Sequence, residues 1–353
     1  MADYKFVAAD GPNLLGELQA LGKSLTLRLR GTSSAVFDIN GEHPTAELIL
    51  PLQRDIVVYR DDEPVFRGVI GTTRHTVQRD SHYISVTVLD YRAFFRRRLF
   101  TTPLSFTGAR DDEIALQLLD AIQQEGSMGI TPGQIAAGPE RDFEVEVGTS
   151  LAAALNSLSN LDGGFEWDIT PDLKLDIFRQ RGESRGRVLD YGGAAAAVEL
   201  RFNPGEFANS VVFTGASSTS PVVVADVPPD ERRYDLLDSD LNLNNQPLLE
   251  AAAELALERA RAEFRSFRIE MRQTDQLQAW RGLSDVGLGD MVTVAVRSGP
   301  LDLSELQRVQ TISIDVTEDG REDVAFETDV SEGRFDQRLN AINDRLATVE
   351  RTV

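Results

Sequence analysis

Apolar residues alternate with polar or small ones in seven stretches: Leu25, Leu27, Leu29; Ile84, Val86, Val88; Phe143, Val145, Val147; Phe165, Trp167, Ile169; Leu173, Leu175, Ile177; Val292, Val294, Val296; and Ile312, Ile314, Val316. That period of two is the mark of a strand with one buried face, so the chain reads as mainly β. Turn chemistry separates the strands at Asp61-Asp62-Glu63-Pro64 and at Thr317-Glu318-Asp319-Gly320, which predicts hairpins and meanders. Helices are fewer. Asp111 to Gln124 opens with three carboxylates, carries Ile114, Leu118 and Ile122 on one stripe and stops near Gly126. A second helix is predicted from Ser150 to Leu161, and a third from Pro247 to about Phe264.

At the end of the chain the spacing changes. Phe335, Leu339, Ile342, Leu346, Val349 and Val353 follow the four-three rhythm of a coiled-coil seam, in an order that favours three or more strands. Arg345 of one helix then faces Glu350 of the next. The other reading of the pattern is one amphipathic helix folded onto its own domain, since the seam is shorter than the ~3–4 heptads of an assured coiled coil. A repeat also shows in the strands. Residues 54–91 read as strand (Asp55–Tyr59), turn, strand (Val65–Thr73), turn, strand (Tyr83–Asp90). Residues 289–328 read the same way: strand (Met291–Val296), loop, strand (Glu305–Val316), turn, strand (Glu322–Thr328). Meanders are common, so two of them by themselves identify nothing.

Composition narrows the function classes. At 353 residues the chain has room for two to three domains. Cysteine is absent, which excludes disulfides, thiolate metal sites and cysteine nucleophiles. No basic-then-apolar leader and no run approaching ~18 apolar residues is present, so a soluble chain with no export signal and no membrane segment is expected. The net charge is −21, yet residues 1–103 are near balance, with 13 Lys and Arg against 12 Asp and Glu. The acidity therefore belongs to the later domains. It disfavours wrapping nucleic acid and suits either a surface that DNA passes without sticking or plain solubility.

Catalytic patterns are missing from the sequence. His43, His75 and His82 lack metal spacing, and His75 and His82 bracket a predicted turn. There is no Gly-x-Ser-x-Gly elbow, and neither Gly192-Gly193 nor Gly287-Leu288-Gly289 has the form of a phosphate loop. The oxygen-rich run Asp238–Asn244 departs from a calcium loop, having Leu243 and Leu249 where Gly and Glu belong, and reads as a polar turn before Pro247. A carboxylate pair of the glycosidase kind remains open among 57 acidic residues. Arg92, Arg96, Arg97 and Arg98 around Phe94 and Phe95 are the one basic concentration, read as an inter-subunit contact to an acidic neighbour in preference to a nucleic-acid site. No catalytic residue, metal site or cofactor is expected.

Four passages, in order, resemble the phage tail baseplate hub family: Ile56 to Arg67 with Gly68-Val69-Ile70; Val86 to Arg98; Ala208 to Gly215; and Gly287 to Val294, where Leu288 replaces the family's usual proline. The resemblance implies a mainly β fold with inserted α+β domains: two tube-like β-barrel domains and a C-terminal coiled-coil helix. The boundaries would be 1–103 for the first barrel, 104–195 for an inserted α+β domain, 196–215 with 283–330 for the second barrel, 216–282 for an inserted domain with the long helix, and 331–353 for the coiled coil. It also implies a homotrimer, a pseudo-six-fold ring at the virion tail tip. Its partners would be the distal tail protein, tail tube, tape-measure protein and downstream tip or fibre proteins, with DNA passing through the lumen unbound. Some relatives continue into a peptidase or fibre, and the coiled tail departs from that pattern. A cell-wall-cleaving enzyme and a receptor-binding fibre base with 216–282 as its contact surface are the two alternatives.

Overall fold

The computed structural model of the chain describes residues 2–49, 54–79, 81–161, 163–202, 208–215, 220–227, 232–239, 246–261, 265–272, 280–317 and 320–330. The predicted seam from Phe335 to Val353 lies outside the described residues, as does most of the run Asp238–Asn244. Strands β1 (Tyr4–Asp10), β2 (Asn13–Leu18), β3 (Ala20–Arg28) and β4 (Ser34–Asn40) come first, then a 3₁₀ turn at Pro44–Ile49. β5 (Asp55–Arg60), β6 (Glu63–Gln78) and β7 (Ser81–Asp90) follow, closed by the short helix α1 (Tyr91–Phe95). The next stretch holds β8 (Leu104–Arg110), α2 (Asp111–Gln124), β9 (Thr131–Ile135), β10 (Glu140–Val145), α3 (Leu151–Ser159), β11 (Glu166–Ile169), β12 (Lys174–Phe178) and β13 (Ser184–Asp190). After it come β14 (Ala195–Phe202), β15 (Ser210–Thr214), β16 (Val222–Ala225), β17 (Asp235–Ser239), α4 (Gln246–Arg261), β18 (Arg265–Met271), β19 (Met291–Ser298), β20 (Leu301–Val316) and β21 (Glu322–Val330).

The chain divides into two units, one comprising Met1–Val198, Ile269–Glu305 and Val309–Glu327, the other Glu199–Arg268, Leu306–Arg308 and Thr328–Val353. In the first, a large sheet runs in the order β13-β19-β20-β3-β4-β7-β6-β5-β1-β2. The predicted alternation supplies its core: Leu25, Leu27, Ile84, Val86, Val88, Val292, Val294, Ile312 and Ile314 are all buried. Phe6 and Phe37 meet at 4.8 Å between ring centroids. Both predicted meanders are present, as β5-β6-β7 and β19-β20-β21, with middle strands of 16 residues each. Among the described residues the strand path is open at both ends, so the expected tube-like barrels are not closed within a single chain.

Between β7 and β13 a smaller α+β body packs α2 and α3 over β9, β11 and β12. Its core includes Ile114, Leu118, Ile122, Leu151, Leu155, Leu158, Trp167, Leu175 and Ile177. α2 has the predicted bounds, and its first-turn carboxylates stand at the positive end of the helix dipole. α3 is capped by Ser150, whose hydroxyl accepts from the Ala153 N–H at 3.2 Å. The strand predicted through Val147 stops at Val145; Val147 is 61% exposed because Gly148 turns the chain at φ +86° toward α3. The second unit sets α4 against the three-stranded sheet β16-β15-β17 through Val211, Phe213, Leu249, Ala253 and Leu257. α4 begins with Pro247 in its first turn, as predicted.

Candidate functional site

The first passage of the resemblance carries a buried arginine, Arg67, and a partly buried one, Arg60, and each closes a tyrosine–carboxylate–arginine trio. Arg60, at the end of β5, grips Glu322 of β21 through Nε at 2.7 Å and Nη2 at 2.9 Å, and the Tyr4 hydroxyl donates to the same carboxylate at 2.6 Å. The guanidinium also lies 5.2 Å from the ring of buried Trp280. Burial first, and then the Glu322 charge, push the Tyr4 phenol well above its ordinary range, while the Glu322 hydrogen bond holds Arg60 above its own. Arg67, on β6, donates to Asp55 Oδ2 through Nε at 3.1 Å and Nη2 at 2.7 Å, and the Tyr91 hydroxyl reaches that oxygen at 2.7 Å. Arg67 reaches the carbonyls of Gly11 and Pro171 as well. Burial and then Asp55 raise Tyr91 likewise.

The second passage ends in the arginine cluster, which the structure uses largely within the chain. Arg92 is buried, donates to the carbonyls of Arg28, Gly31 and Trp167, and stands 5.2 Å from the Trp167 ring centroid. Arg98 caps the end of α2 through the carbonyls of Ile122 and Gly126. The expected contact to an acidic neighbour is thereby corrected for these two, because five fixed N–H donors satisfy carbonyls that the loop and helix end leave unpaired. Arg96 and Arg97 are exposed. Asp90 caps α1, accepting from the N–H groups of Ser33 and Arg92; burial raises its carboxyl against these hydrogen bonds.

In the fourth passage Asp290 accepts from the N–H of Glu183 and of Gly287, both at 2.8 Å, so one buried carboxylate pins the loop before β13 to the loop before β19. Gly182 makes that approach possible: at φ +90°, a Cβ there would sit 2.0 Å from the Gly289 carbonyl carbon. An open cleft of about 370 Å³ lies beside this junction, lined in part by Phe66, Arg67, Asp168, Arg181, Leu288 and Asp290. The third passage has an equivalent device in the second unit. Buried Asn209 donates to the Arg232 carbonyl at 2.9 Å and accepts from Tyr234 N–H at 2.7 Å.

Both meanders extend into hairpin arms. Along β6 the pairing with β5 ends at Val69, whereas the pairing with β7 continues to Gln78 opposite Ser81. Residues 74–79 are exposed throughout, and so are 297–302 in the β19-β20 hairpin. His75 and His82 meet across the first arm with ring nitrogens 3.2 Å apart, so the predicted turn histidines form a cross-strand pair. Among the described residues no group of three His, Asp or Glu is placed to hold a metal. Of the sequence-predicted assembly residues, Phe335, Leu339, Ile342, Arg345, Leu346, Val349, Glu350 and Val353 all lie outside the described region. The arms and trios were not foreseen. Arg60 and Glu322 stand 262 positions apart, and no local pattern marks such a pair.

The fold built from these parts is that of phage and prophage tail proteins. The chain is similar in structure to the tail protein from Neisseria meningitidis MC58, with a TM-score of 0.65 and 15% identity over 93% of this chain and 97% of that one. It is similar also to the 43 kDa tail protein of prophage MuSo2 from Shewanella oneidensis, with a TM-score of 0.66 and 14% identity over 92% and 97%. Prophage tail protein gp18 from Listeria monocytogenes EGD-e aligns with a TM-score of 0.58 and 10% identity over 98% and 99%. No protein-family model and no curated protein sequence matches the chain.

Proposed function

We propose that the chain is a structural subunit of a phage tail tip, a hub whose copies close into a ring around a bore. The observation that carries this reading is the pair of like meanders, β5-β6-β7 and β19-β20-β21, set in a fold shared over almost the whole chain with phage and prophage tail proteins. Three chains present six related modules, which matches a six-fold tube on one side to a three-fold tip on the other. The open strand path supports closure between chains, because an uncovered edge is a pairing hazard for a lone subunit.

In this reading the work of the protein is mechanical and electrostatic. Regions 1–103 and 196–215 with 283–330 are the tube-like modules, 104–195 and 216–282 are insertions, and residues 331–353 join in a distal three-helix bundle through the seam from Phe335 to Val353. The net charge of −21 repels DNA phosphates from the bore and keeps transit free of sticking. Tube, tape-measure and tip proteins are the partners. Mass measurement in solution tests the reading: a trimer is expected, and a stable monomer at micromolar concentration overturns it. Negative-stain images should show a three-lobed ring with a central hole. Release of sugars from host wall material by the purified protein would favour the wall-cleaving alternative.

A further inference from the structure

The arm of β6 and β7 is costly as a free structure. From Arg74 to Arg79 every residue is exposed, and Val77 is 73% exposed. β4 runs beside β7 as far as Tyr83, but β5 pairs with β6 no further than Val69, and the open outer edge of β6 invites pairing. The arm's charge differs from that of the chain as a whole: residues 72–83 hold Arg74, Arg79 and two of the three histidines against a single carboxylate, Asp80. The β19-β20 arm has the opposite balance. Asp302 and Glu305 stand there with one cation, Arg297, which pairs with Asp302 at 3.3 Å, and Leu301 is 40% exposed close to the turn.

We propose that these arms are the two halves of one interface, in which the β6-β7 arm of each chain lies against the β19-β20 arm of a second copy. Charge selects the pairing. Two first arms would bring Arg74 and Arg79 against their own copies, whereas a first arm against a second sets them beside Asp302 and Glu305. A contact between unlike patches is head-to-tail, and it closes a ring when the rotation per subunit allows. Val77 and Leu301 supply apolar surface for its centre, with the charges at its rim. The inference rests on the ring reading above and names the surfaces that would build it.

Because the chain has no cysteine, disulfide trapping gives a clean test. The full chain carrying V77C and L301C together should, on mild oxidation, give dimers and a closed ring species on a non-reducing gel, and neither single variant should do so. Cross-linking by V77C alone would mean that like arms meet and would overturn the proposal. Charge reversal supplies a readout independent of disulfide geometry: R74E with R79E should weaken association about fivefold at low salt, and adding D302K with E305K should restore it. A trimer that neither cross-links nor responds to charge reversal overturns this interface while leaving the ring reading standing. A monomeric wild-type chain overturns both.

Discussion

The two tyrosine–carboxylate–arginine trios use the same three chemical groups over very different distances. Tyr91, Asp55 and Arg67 come from neighbouring elements, with the phenol and carboxylate 36 positions apart, and they brace the β5-β6-β7 meander from inside. Tyr4, Glu322 and Arg60 join the first strand to the last described one, 318 positions away. The local trio has spare acceptors, since Arg67 also reaches the carbonyls of Gly11 and Pro171. In the long-range trio Arg60 has, besides Glu322, a second carboxylate, Asp61 at 3.3 Å, and the Arg281 carbonyl at 3.2 Å. Identical chemistry therefore serves reinforcement of one meander in one place and the joining of β1 to β21 in the other.

Replacing each carboxylate by its amide exposes that difference most strongly. D55N should destabilise the protein by about 3 kcal/mol, because it leaves the buried Arg67 guanidinium without its anion. E322Q should cost less, about 2 kcal/mol, since Arg60 keeps the Asp61 carboxylate and the Arg281 carbonyl. Urea denaturation with an unchanged slope reads both, and equal losses would erase the distinction drawn here.

The phenols come next. Y4F and Y91F each remove one hydrogen bond to a buried carboxylate and should each cost roughly 1–2 kcal/mol. They also set an alkaline limit. Both phenols are raised above their ordinary value of 10.0 in the folded chain, so only the unfolded chain ionises as the pH passes 10. Their stabilising contribution is complete below that pH and is lost above it. The Y4F/Y91F double variant should start less stable and then lose less stability between pH 9 and 11 than the wild type, on the order of 1 kcal/mol less. An unchanged pH slope would show that the phenols are not the groups responsible.

The smallest effect lies in the turn that joins the strands bearing Arg60 and Arg67. Asp61 and Asp62 have φ of +52° and +65°, the left-handed backbone of a two-residue hairpin turn. Asp61 offsets part of the cost by accepting from Asp3 N–H at 2.8 Å. Asp62 pairs with Lys5 at 2.6 Å on the surface, where such pairs contribute little. D62G should therefore stabilise the protein by about 0.5 kcal/mol, measured as a small rise in Tm. A fall would mean that the Lys5 pair outweighs the backbone relief.

Legibility in the sequence followed the range of the interaction. The bounds of α2 could be read because its carboxylate-rich start and its stripe of Ile114, Leu118 and Ile122 are local. The two meanders could be read because alternation and turn residues are local as well. Strands with little apolar alternation, such as β8, β9 and β13, were missed; β13 is largely exposed and pairs in parallel with β19. The places of Arg92 and Arg98 were not legible because a guanidinium bound for solvent or a partner has the same sequence as one turned inward onto Trp167 or a helix end. Asp290 left a signal in its Gly-Asp strand start, though not the loop it would hold.

From its sequence alone this protein is a mainly β chain with two like meanders and a helix-bearing insertion, since periodicity and turn chemistry act over a few residues. Only the tertiary structure decided that Glu322 would seal β1 to β21, that Arg92 would serve the interior, and that the two hairpins would stand out with opposite charge. Those outcomes depend on which distant groups meet, and a guanidinium, a carboxylate and a phenol each have many possible partners until the sheet brings one set within hydrogen-bond reach.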